Sequence, residues 1–123
     1  MQERQGLEER VPLFAARCVN VCEAIPAKRL KAGHFKDQLF RSATSVSANY
    51  AEAEEPESRK DFIHKMKVAM KELAESRSWL RIIAASGYLD KKRLDPLIEE
   101  SKELTKMMGA SVATARRKLE QKG

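Results

Sequence analysis

Four segments of the chain repeat apolar residues at the spacing of an α-helix, and none alternates as a half-buried strand would. Short breaks separate them, with Pro26 after the first segment, Glu55-Pro56 after the second and Ser86-Gly87 after the third. Proline lacks an N–H and clashes with the preceding turn, and glycine commonly follows a helix end. The pattern therefore predicts helices at about residues 8–25, 34–54, 58–86 and 94–119.

The short breaks also predict how the helices are arranged. Consecutive helices joined by short connections pack as antiparallel neighbours. A chain of 123 residues has room for one domain with one modest core. The predicted fold class is therefore all-α: a single antiparallel up-and-down four-helix bundle over residues 1–123. The predicted core stripe of the third helix consists of Phe62, Met66, Ala69, Leu73, Leu80 and Ala84.

The two middle helices each carry a second patterned face. A helix turns about 100° per residue, so Trp79 and Ile82 point away from the stripe that holds Met66 and Leu73. A helix that packs only within its own bundle needs one apolar stripe. The alternatives are isolated exposed apolar residues, which are common, and a subunit interface, where tryptophan is enriched. Our hypothesis is an interface, with the candidate residues Arg41, Asn49, Glu52, Val68, Glu72, Glu75, Trp79 and Ile82.

A row of polar residues follows one flank of the core stripe on the second helix. Its members are Arg41, Ser45, Asn49 and Glu52. In one interpretation the row forms a network between helices, in which Arg41 pairs with Glu72 or Glu75. In the other it is a row of solvated side chains. A buried network of this kind would fix helix register and subunit angle more than it would add stability.

Basic residues outnumber acidic ones, with 24 Lys and Arg against 18 Asp and Glu, and the formal charge is +6. In an antiparallel bundle the first and third connections lie at the same end, so their cations should converge there. No aromatic residue is interleaved for base stacking, which favours phosphate contact without base specificity. The alternative is that these cations only keep the surface soluble. The candidate nucleic-acid-binding residues are Lys28, Arg29, Lys31, Lys91, Lys92 and Arg93.

Several classes of site are not expected. Cys18 and Cys22 stack on one helical face with poor disulfide geometry, so we expect reduced core thiols. A di-iron bundle needs two Glu-x-x-His motifs, and His64, which follows Asp61 by three residues, completes only one imperfect half. His34 has no acidic residue three positions before it. We therefore expect no metal and no cofactor.

An enzyme is not expected either. Glu72 and Glu75 could in principle act as a general acid and base, but neighbouring helical carboxylates far more often form ion pairs. No nucleophile or glycine-rich phosphate loop accompanies them, so we assign no catalytic residues. The charged start lacks a signal-peptide core, and no apolar run approaches the roughly 18 residues of a membrane span. The expected location is the cytoplasm, with no membrane partner.

One combination of residues resembles a known family. It comprises Arg41-Ser42-Ala43-Thr44-Ser45, Asn49, Glu52-Ala53, Ser58, Asp61-Phe62, Lys71-Glu72, Glu75 and Trp79-Leu80. This set resembles the bacterial four-helix-bundle proteins first noticed as reading frames in intervening sequences of 23S ribosomal RNA. The resemblance covers nearly the whole chain. It implies a cytoplasmic bundle that assembles as a ring-shaped homopentamer.

The resemblance also implies a role that involves nucleic acid, because a distant relative is the accessory protein of the reverse transcriptase in diversity-generating retroelements. No catalytic residues are established for the family, so none carry over. The function we expect is a non-enzymatic, homo-oligomeric scaffold or adaptor that binds RNA or DNA through its basic loops. The alternative is a protein–protein interaction module that docks a partner such as a nucleic-acid enzyme and binds no nucleic acid itself.

Overall fold

The computed structural model describes residues 6–26, 28 and 32–122, and within them the chain forms four α-helices. Each helix packs on its neighbour in sequence, and α1 also packs on α4, which closes the antiparallel up-and-down bundle. The predicted fold class is confirmed. The helices are α1 Leu7–Ala24, α2 Ala32–Glu54, α3 Arg59–Ala85 and α4 Lys91–Lys122.

Local chemistry sets the ends of α1 and α3. The residue before a proline is disfavoured in the α conformation, and Ile25 is extended immediately before Pro26. Ser58 caps α3, because its hydroxyl oxygen accepts the backbone N–H of Asp61 at 3.0 Å. At the other end of α3, Gly87 has φ +76°, a left-handed conformation that favours glycine. The Tyr88 N–H then reaches the Ile83 carbonyl oxygen at 3.2 Å, which satisfies one of the last carbonyl groups.

The expected start of α4 is wrong by one turn. We expected a start near residue 94, where proline at Pro96 would suit a first turn. Instead the carboxylate of Asp90 accepts the Lys92 backbone N–H at 2.9 Å. The helix therefore begins at Lys91, and Pro96 lies inside it. As a consequence, Lys91, Lys92 and Arg93 form the first turn of α4 and are not loop residues.

The core follows the predicted stripe of the third helix, where Met66, Ala69, Leu73 and Leu80 are buried, and Ile83 is buried with them. Phe14, Leu39, Leu73 and Leu104 are fully buried, and Phe62 packs at the edge of the core. Three serines at helix contacts are also fully buried and were not predicted. They are Ser42, Ser76 and Ser101. Small hydroxyl residues allow close helix contact when their oxygens find hydrogen-bond partners, and each of the three does.

Candidate functional site

The outer surface where α2 and α3 meet, which we call the α2/α3 face, contains the residues of the predicted interface. An arginine on α2 ties two carboxylates on α3: Arg41 Nη1 donates to Glu72 Oε2 at 3.1 Å, and Arg41 Nη2 pairs with the Glu75 carboxylate. The network alternative is therefore correct for this end of the row. The hydrogen bond from Arg41 lowers the pKa of Glu75, and a second bond from the Trp79 indole N–H lowers it further, while partial burial opposes both.

The other members of the row behave differently from one another. Asn49 Nδ2 donates to the Ser45 carbonyl oxygen at 2.9 Å, so it bonds within α2 and does not reach α3. Glu52 does cross, because its Oε1 accepts from Lys65 Nζ at 3.0 Å. No sequence pattern had predicted that Lys65 pairs with Glu52. Two ion-paired links thus join α2 to α3, with Ser45 and Asn49 between them.

Trp79 is less free than the helical angles suggested. Its ring meets His34 edge-on at a centroid distance of 5.6 Å and packs against Phe35 at 6.0 Å, so residues near the start of α2 half-bury it. Our expectation that it lies apart from the core is wrong, because it packs against the core edge. Ile82 remains 37% exposed and Val68 is half-buried, so these two supply the apolar surface of the α2/α3 face.

The second candidate surface is the basic end, which we define as Lys28, Lys91, Lys92 and Arg93. Arg93 borders a small hollow beside α1, and Lys91 borders another beside the end of α3, so the first turn of α4 lies between those helices. None of these four side chains has an ion-pair partner among the described residues. Arg29 and Lys31, which were predicted to join them, lie outside the described residues.

The opposite end of the bundle holds an acidic hollow beside the turn between α2 and α3. Lys65 and four carboxylates line it, and the carboxylates are Glu52, Glu55, Glu57 and Asp61. An anion would be repelled locally at this hollow. The same end also carries Arg59 and Lys118, so the negative charge is confined to one part of it.

An open groove of about 790 Å³ crosses the surface between the start of α3 and the last turns of α4. Phe62, Ala115 and Leu119 supply apolar surface there, and Arg59 and Lys118 also line it. No sequence pattern predicted this groove.

The residues considered for acid–base, thiol or metal chemistry are placed as follows. Both candidate carboxylates are engaged by Arg41, and the lowered pKa of Glu75 keeps it ionised at neutral pH. Cys18 and Cys22 are free and buried, and burial raises the pKa of Cys18 to about 12, so its thiol is protonated. Among the described residues no group of three His, Cys, Asp or Glu side chains could hold a metal ion. No described helix is long and apolar enough to cross a membrane.

A comparison with protein families and a comparison with solved structures agree. A family model described as 23S rRNA-intervening sequence protein matches residues 9–110. The chain also superposes on a crystal structure of a protein with unknown function from the S23 ribosomal protein family of Bacteroides thetaiotaomicron, with a TM-score of 0.80 and 29% identity. That match covers 87% of this chain and 98% of the other. No curated protein matches.

Proposed function

The protein belongs to the 23S rRNA-intervening sequence protein family, and from this premise we propose that it is a non-enzymatic, homo-oligomeric scaffold or adaptor of the bacterial cytoplasm that contacts RNA or DNA through its basic end. The single observation that carries the proposal is the unpaired charge of that end. Lys28 lies in the connection between α1 and α2, and Lys91, Lys92 and Arg93 form the first turn of α4. None of the four has an ion-pair partner among the described residues.

Unpaired surface cations favour phosphate contact for a physical reason. A cation that already holds a carboxylate must give up that partner before it binds a phosphate, whereas a solvated lysine only releases water and the counterions of the nucleic acid. Two carboxylates lie close in sequence to these cations. Asp90 accepts the backbone N–H of Lys92 at 2.9 Å, and Asp95 borders the same hollow as Lys91 but forms no ion pair with it.

The assembly we propose is a pentamer built through the α2/α3 face. Ile82 and Val68 supply apolar surface there, and the Arg41 and Lys65 ion pairs hold α2 and α3 in one register. A five-fold ring would repeat the basic end five times. Repetition of a weak phosphate contact raises the overall affinity when the sites engage one nucleic acid together.

The test uses fluorescence anisotropy to measure how tightly the purified protein binds RNA and DNA duplexes of arbitrary sequence. The measurement is repeated across a series of salt concentrations. The proposal predicts binding that does not depend on sequence and that weakens steeply between about 50 mM and about 200 mM salt. Absence of binding at low salt, together with a salt-insensitive complex with a nucleic-acid enzyme, would show that the protein is an interaction module instead. The exposed Phe40, at 51%, and the groove beside Phe62 are the surfaces such a partner would use.

A further inference from the structure

The α3/α4 side of the bundle carries an arginine whose surroundings differ from those of Arg10, another part-buried arginine. Arg10 lies against the Glu100 carboxylate, with Nε and Nη2 at 3.0 and 2.7 Å from its two oxygens. Arg77 pairs with no carboxylate among the described residues. Its Nε donates to Ser101 Oγ at 2.7 Å and its Nη2 to Thr105 Oγ1 at 2.9 Å. Neutral oxygens orient the guanidinium but leave its charge uncompensated.

Burial and a neighbouring cation both make the positive charge of Arg77 less stable. Burial lowers the pKa of Arg77, and Arg81, one turn further along α3, lowers it further. A partly desolvated charge is costly unless a partner of opposite sign neutralises it. Arg77 Nη1 makes no hydrogen bond within the described part of the chain. It also remains open to solvent, since every fully buried side-chain nitrogen or oxygen described here has a partner.

Further cations flank Arg77 on both helices. On α3, Lys67, Lys71 and Arg81 lie within about 40° of one direction around the helix axis, and the residues between them on that ridge are Ala74 and Ser78. On α4, Lys102 borders the same hollow as Arg81, and Lys106 follows one turn later. We call this surface the α3/α4 basic groove. Its members are Lys67, Lys71, Arg77, Arg81, Lys102 and Lys106.

The carboxylates near this groove lie at one end of it. Asp95 and Glu99 border the hollow beside Arg81, and Glu99 pairs with Lys102 at 3.1 Å. The ridge from Lys67 to Arg81 contains no acid. The other side of α3, which faces α2, instead carries Glu72 and Glu75. The carboxylates on α3 thus lie on the side that pairs with Arg41 of α2.

The dimensions and side-chain types of the groove indicate its ligand. At 1.5 Å per residue, the ridge from Lys67 to Arg81 is about 21 Å long, which is long enough to follow several phosphates of a duplex. No aromatic residue lies on the ridge from Lys67 to Arg81 or lines the hollow beside Arg81, so this surface offers unpaired bases no aromatic ring to stack on. Arginine and lysine suit phosphate oxygens, and they read no sequence in such contacts.

We infer that the α3/α4 basic groove, centred on Arg77, is a second nucleic-acid contact surface that binds the phosphate backbone of double-stranded nucleic acid. The inference rests on the proposed function and extends it, because Lys91 and Arg81 border one hollow and so join the basic end to the groove. A duplex bound at the basic end would therefore extend along the α3/α4 basic groove.

The experiment measures binding of full-length variants to a short RNA duplex and to one of its strands alone, by anisotropy over a salt series. Arg81→Glu/Lys106→Glu reverses two exposed groove charges. The matched control Arg59→Glu/Lys118→Glu makes the same charge change beside the open groove near Phe62. We expect the groove variant to bind duplex about tenfold more weakly than the control, with a shallower salt dependence. Circular dichroism should show the same helical content for both.

Three outcomes decide between the surfaces. If the groove variant binds as tightly as the control while Lys91→Glu/Lys92→Glu binds weakly, the groove inference is overturned and the basic end stands. If neither variant differs from the control, the proposed nucleic-acid function fails as well. A clear preference for the single strand over the duplex contradicts the assignment of a duplex ligand.

A second variant examines Arg77 itself. Arg77→Gln keeps hydrogen-bonding groups beside Ser101 and Thr105 but removes the charge. If Arg77 contacts phosphate, the slope of log K against log salt becomes shallower by about 0.9, and Arg77→Lys restores much of it. If Arg77 only ties α3 to α4, thermal stability changes but the salt slope does not, and the central role of Arg77 is overturned.

Discussion

Arg41 on α2 lies 3.1 Å from the carboxylate of Glu72 on α3, and the same guanidinium also pairs with Glu75. The pairing links the two helices that carry the proposed assembly surface. Arg41 is half exposed, so the contribution of the ion pairs to monomer stability is limited by solvent screening. Its larger effect should be on the register of the two helices and, through it, on the shape of the α2/α3 face.

Replacement of Arg41 by methionine separates these two roles. Because exposed ion pairs contribute roughly 0–1 kcal/mol, we expect the free energy of unfolding to fall by less than about 1 kcal/mol. We also expect the oligomer to dissociate at higher protein concentration than wild type. Urea unfolding and sedimentation velocity measure the two effects. Lys102→Met, which removes a pair with Glu99 on α4, is the control that should leave the mass unchanged.

Glu75 gives the α2/α3 face a defined response to acid. Its pKa in the folded protein is below the ordinary glutamate value, chiefly through the bond from Arg41, so the carboxylate stabilises the fold at neutral pH. That contribution is present above the unfolded pKa, near 4.5, and is lost as pH falls through the lower folded pKa. Urea unfolding of wild type and Glu75→Gln should therefore show a stability difference at pH 7 that shrinks in stronger acid. A constant difference would contradict the assigned cause.

Ile82 is the most direct test of the assembly surface. Ile82→Asp places a charge at an exposed position, so the monomer should keep its helical content. In a desolvated contact the same charge is costly, so the oligomer should dissociate. Leu13→Asp, at a position 50% exposed on α1, is the matched control that should keep the wild-type mass. A wild-type protein that is a stable monomer at micromolar concentration would refute the assembly.

The core makes a prediction that is independent of function. Leu73 is fully buried among the four helices, and truncation to alanine leaves a cavity. Leu73→Ala should lower the free energy of unfolding by about 2–5 kcal/mol in urea denaturation. Leu13→Ala removes the same atoms from a half-exposed position and should cost much less. Similar losses for both variants would contradict the assignment of Leu73 to the core.

The fold was largely predictable because helix periodicity and chain breaks are local signals. Met66, Leu73 and Leu80 repeat at helical spacing, and they are buried as expected. The start of α4 was missed because two aspartates could cap it. Asp95 precedes a proline, which suits a first turn, but Asp90 has the backbone geometry that captures the Lys92 N–H.

The site was less predictable because it depends on contacts between distant residues. Arg41 could be matched to Glu72 and Glu75 from charge and helical face alone. His34 and Phe35 pack against the Trp79 ring, and the position of these two residues depends on where α2 begins. The Arg77 guanidinium bonds to the neutral oxygens of Ser101 and Thr105 and pairs with no carboxylate among the described residues. The sequence alone does not show which oxygens an arginine contacts.

The central claim is that the basic end contacts nucleic acid, and the salt dependence of duplex binding by Lys91→Glu/Lys92→Glu tests it most directly. Wild type should bind a duplex of arbitrary sequence at low salt and lose affinity steeply as salt rises. The variant should bind about tenfold more weakly with a shallower slope, while Arg59→Glu/Lys118→Glu stays close to wild type. Equal affinity and equal salt dependence for all three proteins would contradict the account.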